Sequence, residues 1–350
     1  MHMADALVSP LVGGTMLAVT AGLAVYSAQQ VRKELDDQKI PLMGVMGAFV
    51  FAAQMINFTI PATGSSGHIG GGLLLAALLG PHAGFLTMAS VLLIQALFFA
   101  DGGLLAYGCN VFNMGFWTCF VAYPLFYKWF TGRGFTPRSI SWASLVSVVV
   151  ALQLGAFSVV LQTLLSGKTE LPFTTFVMLM QPIHLAIGIG EGLISAAVLV
   201  YVWNARPEIL ARTAAGESLG NISTRRVLTG MVVAVFLVGG VLSWFASTRP
   251  DGLEWSIEKV AGTAELEKPD GIHQLLGEFQ DNSAILPDYG FKSDEPAESN
   301  HAGEGTTAWP TANAGTSVAG LVGGAMTLLL AGLTGWGLSR LKNRSSRVAA

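Results

Sequence analysis

The chain has 350 residues, of which 52% are hydrophobic and 12% charged, with a mean hydropathy of +0.55. Soluble domains carry about 25% charged residues, so this composition excludes an ordinary soluble domain and points to an all-α polytopic membrane protein. The formal net charge of −3 is small, and the placement of the 19 basic and 22 acidic residues says more than their sum.

The chain opens with Met1-His2-Met3, with no basic region and no small-residue cleavage site after the first apolar run. The start is therefore expected to remain in the mature protein. A free Met1 amine, the His2 amide nitrogen and His2 Nδ1 would then close two fused chelate rings on one metal. With that amide deprotonated, three nitrogens lie in a plane with a fourth position open, which suits Ni(II) or Cu(II). The bland reading is a His at position 2 by chance. Asp5 follows closely, placed to pin this segment or to offset metal charge.

A hydrocarbon core needs about 20 apolar residues per helix. Nine spans are expected, over 9–29, 41–57, 69–80, 82–100, 104–130, 139–166, 173–203, 227–247 and 315–338. The third is short and glycine-rich, and glycine-interrupted segments often mark binding sites in transporters. Span 1 carries the small-residue stripe Gly14, Ala18 and Gly22, which lets another helix approach.

Between spans 2 and 3 lies Thr63-Gly-Ser-Ser-Gly-His68, followed by Ile69 and three glycines. Glycine allows close backbone approach and positive φ. The hydroxyls of Thr63, Ser65 and Ser66 are placed to orient the groups that touch a ligand. His68 is a natural fourth nitrogen for the Met1/His2 chelate, or else an interfacial His on a re-entrant turn. His82 reads as a turn or interface residue. Asn110 and Asn113 either bond the loop carrying His68 or pack helices together. Cys109 and Cys119, ten residues apart in one apolar run, read as buried inert thiols. His184 and Glu191 stand two helical turns apart on one face of span 7. Ionisable groups inside a span are costly and usually functional, so a gating or ligand-supporting role is expected, against a plain interhelical hydrogen bond.

With the N-terminus outside, the inner connections and tail hold 14 of the 19 Lys and Arg, which satisfies the positive-inside rule. Nine crossings then leave the C-terminus in the cytoplasm. The expected organisation is a seven-helix metal-binding unit over 1–203, a cytoplasmic linker over 204–226, and a two-helix unit over 227–350. The latter carries a long outer loop, 248–314, expected to be flexible in part. Between Arg249 and Glu304 that loop has 13 acidic and 4 basic residues, a net of −9. His273 and His301 are too isolated there to read as ligands. Pro250-Asp-Gly-Leu-Glu-Trp255 reads as a turn followed by a helix start. The chain has no P-loop, no G-x-S-x-G and no C-x-x-C-H, which excludes those nucleotide, hydrolase and haem-attachment sites.

The N-terminal run Met1 to Leu7, together with Gly64-Ser-Ser-Gly-His68, resembles the CbiM/NikM family, the substrate-specific components of energy-coupling factor (ECF) transporters for cobalt and nickel. Pro250 to Trp255 between two helices resembles the small CbiN/NikN accessory subunit, fused here at the C-terminus. The resemblance covers essentially the whole chain. It implies that the N-terminal segment inserts into the bundle and that Met1, His2 and His68 hold the metal. It also implies an ECF transmembrane coupling (T) subunit and cytoplasmic ATPase subunits as partners, with the Gly14/Ala18/Gly22 stripe as a docking face. Membrane lipid is the remaining expected contact, and no nucleic acid is expected. Ni(II) is the leading substrate. Co(II) uptake for cobalamin synthesis is the close variant. A metal-responsive sensor and a His-ligated membrane enzyme are the readings from other classes.

Overall fold

The computed structural model describes residues 2–34, 38–263, 266, 271–292 and 313–348. Met1, expected to supply an amine, lies outside them, as do 293–312 of the outer loop. The described chain is mostly helical. The first apolar runs form α1 (Pro10–Glu34), α2 (Lys39–Gln54), α3 (Gly72–Leu79) and α4 (Pro81–Phe98). The run read as 104–130 follows a helical path, but not as a single α-helix. It comprises α5 (Tyr107–Val111), a π-helical stretch (Phe112–Tyr127) and α6 (Lys128–Thr131). The π stretch contains Pro124, which has no N–H to donate to a helical ladder.

α7 (Pro137–Leu165) and α8 (Phe173–Ala205) pack closely along their length. Gly188 lies on Val149 and Gly192 on Leu145, and these small residues let the two backbones approach. α9 (Pro207–Ala215) lies in the linker, then α10 (Arg225–Gly240), α11 (Gly252–Ala261), α12 (Ile272–Ser283) and α13 (Ala314–Val348) complete the chain. α10 and α13 pack against α2, and Gly239 meets Gly320 where α10 and α13 cross.

Among the described residues five helices are long and apolar enough to cross a membrane: Pro10–Lys33, Pro81–Phe98, Pro137–Leu165, Phe173–Ala205 and Ala314–Lys342. α3 has eight residues, all buried. Its length is about 12 Å against a core of about 30 Å, so the helix alone is too short to span it. Within the outer loop, α11 and α12 form over Gly252–Ala261 and Ile272–Ser283. α11 starts with the Asp251/Glu254 capping box that its sequence spells.

Candidate metal site

The N-terminal segment is threaded against the start of α5 and held by backbone and side-chain bonds. Asn110 on α5 accepts from Met3 N at 2.7 Å and donates to Met3 O at 3.1 Å. Gly103 N adds a second bond to Met3 O at 2.9 Å. Met3 is fully buried, with its sulfur 3.5 Å from Asn113 Nδ2. Asp5 accepts from Ala106 N at 2.9 Å, so it satisfies a donor at the start of α5 and pins the segment. His273 on α12, buried, approaches Val8 O through Nε2 at 2.8 Å. Because a carbonyl only accepts, that nitrogen carries the proton.

The loop carrying His68 is built differently. Glu191, buried on α8, accepts from Gly70 N at 2.8 Å and Gly71 N at 2.9 Å, one oxygen each. Two charge-assisted bonds compensate a carboxylate that would otherwise be costly within a span. Gly71 has φ +75°, and a Cβ there would stand 2.6 Å from Val50, so the loop needs glycine at this point. Gln54 donates to Gly70 O at 2.7 Å, and Gln95 donates to Gln54 at 2.8 Å. On the other side Ser66 O–H donates to Arg249 O at 2.7 Å and Ser66 N to Pro250 O at 2.8 Å. Ser65 Oγ lies 3.3 Å from Pro250 O. Thr63 is spent locally, on Ile60 O and Ser65 N.

These two supports bring the His2 and His68 imidazoles together, stacked at 17° with centroids 5.1 Å apart. At metal–nitrogen bonds of about 2 Å, rings this close can share one ion. Burial pushes His2 down to about 3 and His68 to about 4. Both rings are therefore neutral at physiological pH, each with a lone pair to offer. His68 Nδ1 lies 3.1 Å from Ile69 O, which leaves Nε2 as the donor nitrogen. His2 Nδ1 lies 3.3 Å from Asp101 Oδ1, while the buried Nε2 has no hydrogen-bond partner. The chelate expected from the sequence uses Nδ1. It therefore closes only with the imidazole turned over about its Cβ–Cγ bond or with Asp101 moved aside.

Two carboxylates that the sequence reading missed flank the rings. Asp101 stands beside His2, and Asp251 Oδ2 lies 3.9 Å from His68 Nε2. Asp251 Oδ1 also accepts from Leu253 N at 2.7 Å and Glu254 N at 2.9 Å, capping α11. The sequence does spell the Asp251 cap, but not that the cap faces His68. Asp101 follows an apolar run and precedes two glycines, a signal for an acid at the membrane edge. Among the described residues no cluster of three or more His, Cys, Asp or Glu side chains is arranged to hold a metal.

The remaining expected residues fall into place around this point. Asn110 bonds Met3 of the N-terminal segment, not the loop carrying His68. His184 Nδ1 lies 2.8 Å from Met180 O, so Nδ1 carries the proton and Nε2, fully buried, holds an unpartnered lone pair. His184, Glu191, His68 and Asp251 line a cavity of about 20 Å³, room for about one water. His82 packs between Tyr26 and Phe120 with Nδ1 3.4 Å from Ser27, as an interface residue. Cys109 and Cys119 are buried free thiols. Gly14, Ala18 and Gly22 are exposed on α1.

The family model described as the cobalt uptake substrate-specific transmembrane region matches residues 2–209, and that of the PDGLE domain matches 225–340. A putative fused nickel transport protein, NikMN, of Archaeoglobus fulgidus is 30% identical over 331 residues, 94% of this chain and 96% of its own length. A putative metal transport protein of Haloquadratum walsbyi is 40% identical over 213 residues, 60% of this chain and 93% of its own. The crystal structure of a truncated transition metal transporter superposes with a TM-score of 0.52 at 31% identity, covering 59% of this chain and 99% of that one.

Proposed function

Because the chain belongs to the family of the cobalt uptake substrate-specific transmembrane region and runs on into a PDGLE domain, we propose that it captures Ni(II), with Co(II) as the close alternative, for an ECF-type importer. The observation that carries this reading is the pair of buried, neutral imidazoles of His2 and His68, stacked 5.1 Å apart. The Met1 amine and the His2 amide supply the further nitrogens, giving a planar four-nitrogen site. Glu191, Asp5, Asn110, Thr63, Ser65 and Ser66 hold the two backbone segments in place, and His184 acts behind them in gating.

The N-terminus faces outward, so the ion is met on arrival, and nine crossings of the cytoplasmic membrane leave the C-terminus inside. Support for this orientation comes from the 14 of 19 basic residues on inner connections and tail. The metal-binding unit spans 1–203, the linker 204–226 and the accessory unit 227–350. An ECF transmembrane coupling subunit and cytoplasmic ATPases supply the energy, and the exposed Gly14/Ala18/Gly22 stripe is a docking face for the former.

Elemental mass spectrometry of the detergent-purified protein with a native N-terminus tests the site. One nickel or cobalt per chain, lost in both His2→Ala and His68→Ala, is the expected result. Undiminished metal in either variant removes that residue as a ligand.

A further inference from the structure

A surface helix usually buries its apolar side and shows its polar side to water. α9 and α11 follow that pattern: Ile209 and Leu210 of the one, and Leu253 and Ile257 of the other, are buried. α12 inverts it. His273 is its one buried residue, and its bonds to the bundle are polar. His273 Nε2 donates to Val8 O at 2.8 Å. Gln280 Nε2 donates to Ala96 O at 2.8 Å and to Gly102 O at 2.7 Å, and Ser283 donates to Leu97 O at 2.7 Å. The large apolar side chains stand outside, with Ile272 45%, Leu275 67% and Phe279 57% exposed. At 3.6 residues per turn these three fall within an arc of about 60°, beside a polar arc of Gln274, Glu278 and Asp281.

The anchor points set the depth and direction of the helix. Val8 lies just before α1 begins at Pro10, and Ala96 and Leu97 lie in the last turn of α4. Both helices are long and apolar enough to cross a membrane. α1 and α4 pack against each other, and packed helix axes stand about 8–10 Å apart. From His273 to Gln280 is about 10 Å of helix. α12 thus bridges the ends of two neighbouring spans and runs across them, in the plane of the bilayer, where those spans leave the hydrocarbon. From this placement we infer that α12 is an interfacial helix, with its Ile272/Leu275/Phe279 stripe seated in the lipid at the boundary between headgroups and acyl chains. The helix has no Lys or Arg and carries Glu278 and Asp281 on its polar arc, so burial of apolar area holds it there, without attraction to anionic headgroups. Through His273 this lipid contact braces the backbone of the N-terminal segment at Val8. The inference needs the two spans and is independent of which ion is captured.

Spin labels test it in the full chain, reconstituted in phosphatidylcholine nanodiscs. Leu275→Cys and Phe279→Cys report on the stripe and Glu278→Cys on the polar arc, with the unsubstituted chain as the blank because Cys109 and Cys119 are buried. Collision with oxygen, which concentrates among acyl chains, is compared with collision with a water-soluble chromium complex. The expected oxygen-to-chromium ratio is several-fold higher at 275 and 279 than at 278, and unchanged when phosphatidylglycerol is mixed in. A ratio at 275 and 279 as low as at 278 places the stripe in water and overturns the inference. Little collision with either reagent shows a protein cover, such as a second copy or another segment of the chain, and overturns it as well. A high ratio that appears only with phosphatidylglycerol overturns the apolar mode of contact.

Discussion

The segment carrying His2 and the loop carrying His68 deliver their rings to one point by different means. The N-terminal segment has no secondary structure of its own around His2, and neighbours bind its backbone: Asn110 at both groups of Met3, Gly103 at Met3 O, and His273 at Val8 O. The loop instead offers bare N–H groups to one buried carboxylate, Glu191, and rests its serines on the carbonyls of Arg249 and Pro250. Support for the first is spread over several bonds to different neighbours, the Asp5 carboxyl at Ala106 N among them. Support for the second is concentrated in a single charge, which makes the loop the more fragile half. In both cases the accessory unit closes the arrangement, through His273 in one and Arg249–Pro250 in the other.

Acid separates the two kinds of ligand most strongly. The His2 and His68 rings, held at about 3 and 4, stay unprotonated at pH 5 and compete with protons only below those values. A terminal amine, near 8 by nature, gains protons about tenfold per unit below that, and the amide must lose one to ligate. Nickel retention is therefore expected to fall at least about 100-fold from pH 7 to 5, as read by equilibrium dialysis. Retention unchanged down to pH 4 would leave the imidazoles as ligands without the amine and amide.

Glu191→Gln comes next, because it puts an NH2 group against a backbone N–H and removes the charge from both bonds. About 10–100-fold weaker nickel binding is expected by chelator competition, comparable with other lost supports of a ligand. Asn110→Ala strips Met3 of two hydrogen bonds, yet Gly103 N still holds Met3 O. The expected loss is about tenfold in affinity, together with about 1–3 kcal/mol of stability by denaturation. If Asn110→Ala proves more damaging than Glu191→Gln, the contrast between distributed and concentrated support fails. Gly252→Ala is the mildest. Its Cβ would stand 2.8 Å from Ile187 Cδ1 and 3.2 Å from His184 Cε1, loosening the PDGLE turn from α8. A few-fold weakening is expected, consistent with the modest cost of a single overpacked methyl.

Much of this was legible in the residues. The apolar runs located the helices, the brevity of 69–80 marked the short α3, and the Asp251/Glu254 spacing marked the start of α11. The chemistry of chelation paired His2 with His68 without any knowledge of distance, and their rings do stack, 5.1 Å apart. The partners of those rings were not legible. Asp101 and Tyr289, which share a hydrogen bond, stand 188 residues apart, and Gly71 and Glu191 stand 120 apart, so no local spacing joins them. Hydropathy also could not reveal the π winding of Phe112–Tyr127, because that pattern marks an apolar helix whatever its hydrogen-bond register. Ser65 and Ser66 were recognised as loop hydroxyls, but their carbonyl partners lie in the other unit.

The central claim is that the ion is chelated by the very start of the chain together with His68. Nickel content per chain, compared between protein with a native N-terminus and the same protein bearing an N-terminal tag, tests it most directly. The account predicts one nickel with the native amine and essentially none with the tag. Full nickel in the tagged protein would contradict it.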